Sequence, residues 1–547
     1  MKKNRSFGMR MMMPPYAMNQ ARLRQWIDIV PFLLFGYFFW TIMHSPMRIN
    51  HDCAYVLQCS KILVDGGLPY VDFIDINPPL IFYMNMAPVV VAQTAGITLP
   101  QAFSLFVTLQ LAASALLLFY LFRLEELNLK APARFALLLA WILCSLFVYA
   151  TGDYGQRDHL VMLMVFPFIL VRVIRYYGDR VSLLPSLVIG VMTGLGLSLK
   201  PNFYFIVLVP EFVALVRTRR IRTLFTPEMY AAIAFSLAYV LHFLLLPALV
   251  QTELFGRWMP FFMQYYGTIN MNLFHHVFMQ PLVIAGLIVL AFVVGIGLVI
   301  IRQRGMSSLR MEILSAAAIG SFLSYWIQQK GYSYHSVPLK LVFVMLALFV
   351  SFWLYEEIMH RTEEIPLRRF VAVSPTLVVL AGLIALTARA FASNSSYVSY
   401  ESFAPYRQAI SAYSKKDDRV LFLNTILFPA YPTLVQMDRM PGSRYLTIFP
   451  IAGFYYGMHA DSAFPYRSRG QMNQEELRFL CELEVDIDRF KPSLIFIHSG
   501  DTSSAMPQGF DIHEYFIRSH FTTDAMHDYE RSGSVGDFFL YRRKKQI

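Results

Sequence analysis

Eleven apolar stretches of roughly bilayer length punctuate the chain, at residues 27–43, 102–122, 134–150, 159–177, 183–199, 203–217, 229–250, 281–301, 311–328, 337–355 and 370–390. A hydrocarbon layer takes about 20 helical residues to cross, so each predicts a membrane-crossing helix. A further run, 80–96, is broken by Asn85, Pro88, Gln93 and Thr94. Its status follows from where the basic residues fall. The N-terminal segment 1–26 carries Lys2, Lys3, Arg5, Arg10, Arg22 and Arg24. The gaps holding Arg123/Lys130/Arg134, Arg172/Arg175/Arg180, Arg217/Arg219/Arg220/Arg222, Arg302/Arg304/Arg310 and Arg361/Arg368/Arg369 are also basic, and they alternate with gaps poor in Lys and Arg. The positive-inside rule places the basic gaps in the cytoplasm, where they read as otherwise bland connectors. The alternation survives only if 80–96 does not cross, so that it lies in the interface or re-enters.

Composition agrees. The 547 residues are 56% hydrophobic and 15% charged, with mean hydropathy +0.46. A soluble fold could not hide so much apolar surface. The formal charge of +11 sits in short gaps between apolar runs, which argues against a nucleic-acid partner. Cys53, Cys59, Cys144 and Cys481 are scattered, with no pair at metal-ligand spacing, and Cys53 and Cys59 would point apart on a helix. Past Arg389 the chain turns polar. Residues 391–547 hold strand-like runs "RVLFLN" (419–424), "SLIFIH" (493–498) and "DFFLYRR" (537–543), and a helix-like "NQEELRFLCELEVDIDRF" precedes the second. The expected fold is a polytopic α-helical membrane domain over 27–390, with about 11 transmembrane helices and a first outer loop (44–101) holding interfacial helices. A small extracytoplasmic α/β domain follows at 391–547.

The unusual polar residues gather on the predicted outer side. They are Asp52 in "NHDCAY", Asp72 and Asp75 in "YVDFIDINPPL", "GDYGQRDH" (152–159), Lys200 in "LSLKPNFY", "QYYGTINMNLFHH" (264–276) and "QQKGYSYHSVPLK" (328–340). A carboxylate near a hydroxyl nucleophile suits general-base work, and isolated cations at the ends of spans suit phosphate binding. Each residue also has a plainer role. Asp52 could cap a helix starting near Cys53, and Asp72 and Asp75 could organise a turn. Arg157 and Asp158 could pair with each other. Lys200 could snorkel to headgroups, since an ammonium at mid-membrane depth costs about 2.5–3.5 kcal/mol. His335 could simply sit at the interface, His275 and His276 read better as interfacial than as ligands, and Tyr265, Tyr266, Tyr332 and Tyr334 fit an aromatic belt.

Taken in order, "NHDCAYVLQCSKILVDGGLPY", the Asp-to-diproline stretch, "GLGLSLKPNFY" and "QKGYSYHSVP" resemble the GT-C membrane glycosyltransferases. That family includes protein O-mannosyltransferases and the lipid A aminoarabinose transferase. The resemblance covers most of 27–390 and none of the C-terminal domain. It implies a GT-C-like fold and an inverting transfer of a sugar from a polyprenyl-phosphate donor on the extracytoplasmic side, to a glycan, lipid or protein acceptor. Asp52 would be the base. Lys200, with Arg157, Lys330 or His335, would bind the donor phosphate. Tyr55, Tyr70, Asp72, Asp75, Asp158 and Tyr334 would line the substrate pocket. No cofactor is certain: a divalent metal ion is one option, with Asp52, Asp158 and His159 or His335 as available ligands. Two departures stand out: relatives often carry Asp-Glu where Asp52-Cys53 stands, and Lys or His where Asn77 precedes the diproline. The location implied is a bacterial inner membrane with a periplasmic C-terminal domain. Rival classes are a polysaccharide polymerase or ligase of another membrane fold, which would not need Asp52, and a lipid-linked-sugar flippase. A flippase would show inverted repeats and polar mid-span residues.

Overall fold

The computed structural model describes residues 15–44, 48–124, 127, 129–176, 181–265, 288, 309–360, 366–392, 400–456, 458, 464–500 and 506–544. Helices α1 (Pro15–His44), α2 (His51–Val64), α3 (Leu80–Ala95), α4 (Leu99–Phe122), α5 (Ala131–Thr151), α6 (Arg157–Tyr176), α7 (Leu183–Leu197), α8 (Phe205–Thr218) and α9 (Pro227–His242) come first. They are followed by α10 (Ala248–Gln251), α11 (Met259–Tyr265), α12 (Leu309–Gln328), α13 (Val337–His360) and α14 (Pro366–Ala392). By length and hydropathy, seven helices or helix pairs among the described residues can cross a membrane, and 29–44, 80–95 and 183–197 form shorter apolar helices. The chain is an integral membrane protein. The expected span at 281–301 and the pair His275-His276 lie outside the described residues.

Local sequence sets the helix starts. Asn50 caps α2 by accepting from the Asp52 amide; the cap is therefore Asn50, and Asp52 is free of that duty. Thr98 and Gln101 form a reciprocal capping box at α4. Pro79 takes the cap position of α3, where a missing N–H costs nothing. Glycines let helices approach closely. A Cβ at Gly190 would lie 2.3 Å from the Glu228 carbonyl oxygen, and one at Gly320 would lie 2.2 Å from that of Phe205.

The contacts at helix ends sort the bundle into two ends. Gln101 at the start of α4 reaches the Met43 carbonyl at the end of α1, at 3.5 Å. The chain from α1 to α4, including α3, therefore returns to the end it left. The end of α9 reaches the same end, since the Tyr239 hydroxyl accepts from the Leu80 amide at 3.3 Å. So does α14, where Phe391 lies under the Arg48 guanidinium.

The opposite end corrects one expectation. Arg172 and Arg175 belong to α6, not to a bland loop, and they enter a buried ion cluster. Arg172 is 1% exposed and donates to Glu211 at 2.6 and 2.9 Å, to Glu228 at 3.2 Å and to Thr226 at 2.9 Å. Arg175 also donates to Glu228 at 3.2 Å. The cluster ties α6, α8 and α9 together.

In the C-terminal part, β1 (Arg419–Leu423), β2 (Met440–Pro441), β3 (Leu494–His498), β4 (Tyr529–Val535) and β5 (Phe538–Arg543) form one sheet in the order β2-β1-β3-β5-β4. β1 is parallel to β2 and β3, and β5 is antiparallel to β3 and β4. The three strands expected from sequence are β1, β3 and β5, and the amphipathic helix is Gln474–Phe490. This sheet domain is welded to the bundle. One apolar core runs from Trp141 and Phe166 to Tyr431, Phe496 and Leu540. A second joins Tyr70 and Ile74 to Trp258, Tyr445 and Phe479. Polar ties reinforce the seam: Lys61 to Asp438 at 2.5 Å, the Ile74 amide to the Arg444 carbonyl at 3.1 Å, and Arg257 to Glu475 and Glu482 at 3.1 and 3.0 Å.

Candidate active site

Where the first loop, the bundle and the sheet domain meet, a cavity of about 560 Å³ opens. Helix α2 brings Asp52 and Tyr55, and the stretch before α3 brings Asp75 and Asn77. The α5–α6 turn adds Gln156 and Arg157, and the turn between α12 and α13 adds Lys330, Tyr332 and Tyr334. Of the residues singled out from sequence, Asp52, Tyr55, Asp75, Arg157, Lys330 and Tyr334 line this space together.

Asp52 sits in the first turn of α2, one oxygen held by the Gln156 amide at 2.8 Å and the other 3.8 Å from His51 Nε2. Its side chain is 26% exposed, so the carboxylate still faces the cavity. Gln156 also donates to Asn50 at 3.0 Å, which ties the cap of α2 to the turn before α6. Arg157 donates to the Asn77 side chain and makes no carboxylate pair among the described residues. Asn77, just before the diproline, is thus the partner that aims this guanidinium. Asp75 accepts from the Asn77 amide at 2.6 Å, while its other oxygen is buried without a partner among the described residues. Burial raises the Asp75 carboxyl to about 6, against the pull of the Asn77 amide and the Arg157 charge. Burial likewise lowers the Lys330 ammonium.

Other sequence candidates sit one layer back. Lys200 forms a buried ion pair with Asp158 at 2.8 Å and donates to Gln328 at 3.1 Å. Its ammonium lies 5.5 Å from the ring centroid of Tyr334, which lines the cavity where Lys200 does not. Burial lowers Lys200 to about 8, with Asp158 acting in the opposite sense. His335 is buried with its ring edge-on to Tyr334 at 4.4 Å. Tyr70 and Asp72 are absent from the cavity lining. Tyr70, at φ 63, donates to the Asn77 carbonyl at 2.6 Å, and Asp72 accepts from the Leu68 amide at 2.8 Å; both shape the turn.

The residues present do not form a metal cage. Among the described residues no three His, Cys, Asp or Glu gather at ligating distance. Asp158 is committed to Lys200, and His159 faces Ser145 at 3.4 Å and the Gly155 amide at 3.3 Å.

Sequence reasoning missed two parts of the site. Gln156 lay inside a quoted motif but carried no charge to attract notice. The far wall, with Thr425, Ile426, Leu427, Phe428, Thr447, Phe449 and Pro450, belongs to the sheet domain, joined on one side by Phe262 of α11. No motif marks those residues.

The helical bundle, with helices in its first loop and a small sheet domain closing a terminal cavity, shares its fold with solved membrane-protein structures. ArnT from Cupriavidus metallidurans bound to undecaprenyl phosphate aligns over 93% of this chain and 97% of that chain, with TM-score 0.51 and 12% identity. Its apo form aligns over 96% and 98%, also with TM-score 0.51 and 12% identity. The archaeal oligosaccharyltransferase AglB from Archaeoglobus fulgidus, in complex with an inhibitory peptide and a dolichol-phosphate, aligns over 96% of this chain and 75% of that one, with TM-score 0.48 and 12% identity. No protein-family model and no curated protein matches the sequence.

Proposed function

We propose that this protein is a glycosyltransferase that moves a sugar from a polyprenyl-phosphate donor to an acceptor hydroxyl on the extracytoplasmic side of a bacterial inner membrane, the N-terminus being cytoplasmic. The carrying observation is one cavity holding a steered carboxylate, Asp52, beside two cations, Arg157 and Lys330. The GT-C fold and the undecaprenyl phosphate in the ArnT structure support the lipid-phosphate donor.

In this reading the acceptor oxygen attacks the anomeric carbon from the side of Asp52, and its proton passes to the Asp52 carboxylate. The bond between the anomeric carbon and the phosphate oxygen breaks, its electron pair staying on the departing lipid phosphate, so the configuration inverts. Arg157 and Lys330 stabilise the charge gathering on that phosphate. Tyr55 and Asp75 shape the pocket, with Tyr70 and Asp72 fixing the turn beneath it. Lys200, Asp158 and His335 pack behind Tyr334 and hold it in place. Transfer from a radiolabelled polyprenyl-phosphate sugar tests the reading. Asp52→Asn should lower turnover about 10²–10⁴-fold, the range of general acid–base catalysis, with donor binding intact. Undiminished turnover would remove Asp52 from the role of base.

A further inference from the structure

The cavity is split by charge. His51, Asp52, Asp75, Arg157 and Lys330 all come from the first loop and the bundle. The wall from the sheet domain, residues 425–428 with Thr447, Phe449 and Pro450, contains no ionisable side chain. It offers aromatic faces and the hydroxyls of Thr425 and Thr447, and Phe262 continues the aromatic surface. The wall is held firmly. The Ile448 amide donates to the Asn424 carbonyl at 3.0 Å, which joins its two loops. Asn424 donates onward to the Phe428 carbonyl at 2.8 Å. Phe428 packs edge-on to Phe403 at 5.1 Å, and Phe449 lies 6.4 Å from Phe262.

We propose that this wall is the acceptor subsite and that the acceptor it selects is a neutral glycan. The inference rests on the glycosyltransferase reading and narrows it. The cationic side of the cavity suits the donor phosphate, which leaves the acceptor against the opposite wall. A charged acceptor group placed there would be desolvated without a partner. A neutral sugar ring matches the wall on both counts: its C–H face lies on an aromatic ring, and its hydroxyls reach threonine hydroxyls. A peptide would need its amides paired along its length, and two hydroxyls are too few for that.

The test measures acceptor competition and donor turnover separately in the full-length protein. The acceptor probes are a methyl disaccharide glycoside, the same disaccharide phosphorylated, and a Ser/Thr-rich dodecapeptide. Each is offered as acceptor with a radiolabelled polyprenyl-phosphate sugar. The neutral disaccharide should be glycosylated in preference to the other two. Phe449→Ala should raise its KM about tenfold and Thr447→Val about threefold, consistent with the loss of one stacking face or one hydrogen bond. Urea-induced unfolding of both variants in detergent should follow the parent's curve, which reports that they fold. Preference for the phosphorylated sugar or the peptide overturns the proposal, as does an unaltered acceptor KM in both variants. Loss of donor turnover in the unmodified protein would instead sink the glycosyltransferase reading itself.

Discussion

The Lys200–Asp158 pair permits a sharp test of how the site is layered. At 2.8 Å, and with an effective dielectric of 20, the two charges attract by about 6 kcal/mol. Burying them costs several kcal/mol per ion, so the intact pair contributes little net stability. Removing one partner is different. The Asp158 side chain is fully buried and that of Lys200 only 10% exposed, so Asp158→Asn or Lys200→Met should each cost about 3–5 kcal/mol. The double variant Asp158→Asn with Lys200→Met should cost less than the sum, with a coupling of at least about 2 kcal/mol. Urea-induced unfolding in detergent, read by intrinsic fluorescence, supplies the four corners of the cycle. A pH arm adds a second reading. Burial already lowers Lys200 to about 8, and Asp158 opposes that shift. Removing Asp158 drops it further, so across pH 7–10 the unfolded chain binds a proton that the folded one does not. Stability of Asp158→Asn should therefore rise with pH in that window relative to the parent protein. Additive single costs with a flat pH response would show that the two groups do not form the pair.

Three further outcomes follow from named contacts. Arg172→Met should cost about 3–5 kcal/mol of stability by leaving Glu211 buried without its guanidinium partner and Glu228 with Arg175 as its remaining one, measured by the same unfolding curves. Asp75, raised by burial to about 6 in the folded state from an ordinary carboxyl value of about 4, binds more protons folded than unfolded between those values. Its contribution to stability should fall as pH rises from about 4 to 6, and Asp75→Asn should flatten the profile there. Gln156→Leu should weaken catalysis by releasing the Asp52 carboxylate, with kcat falling more than donor affinity, and Gln156→Asn should fail to restore the reach.

The elements were largely legible because their causes are local. Apolar runs mark α4, α5 and α6, and β-branched and aromatic runs mark β1, β3 and β5. Part of the candidate cavity was legible too, since charges placed among apolar runs advertise themselves: Asp52, Arg157 and Lys330 line one cavity. Sequence could not show which of these charges neutralise one another. Lys200 looked like an isolated cation because its partner, Asp158, lies 42 positions away, at the start of another helix. Arg172 and Arg175 looked like loop charges because Glu211 and Glu228 sit on other helices. Both misreadings have one physical origin: a buried charge must find a partner, and the choice is made by helix packing.

The same reasoning explains why the sheet domain had to be seen in place to be given a role. Read alone, residues 391–547 form a small α/β unit with no catalytic motif. Docked, the domain shares a continuous core with α2 and the bundle and receives the Lys61, Ile74 and Arg257 ties. Its loops at 425–428 and 447–450 close one side of a cavity whose other side carries the acids and cations. Without that wall, Asp52 and Arg157 would face open solvent, where a charge pair at 4 Å is worth about 1 kcal/mol against about 4 kcal/mol near a protein surface. In the proposed reading the domain does more than offer a binding face. By excluding water it sets the strength of the electrostatics on which the opposite wall depends, so variants that loosen the seam, such as Arg257→Gln, should lower kcat while every group in the cavity remains in the chain.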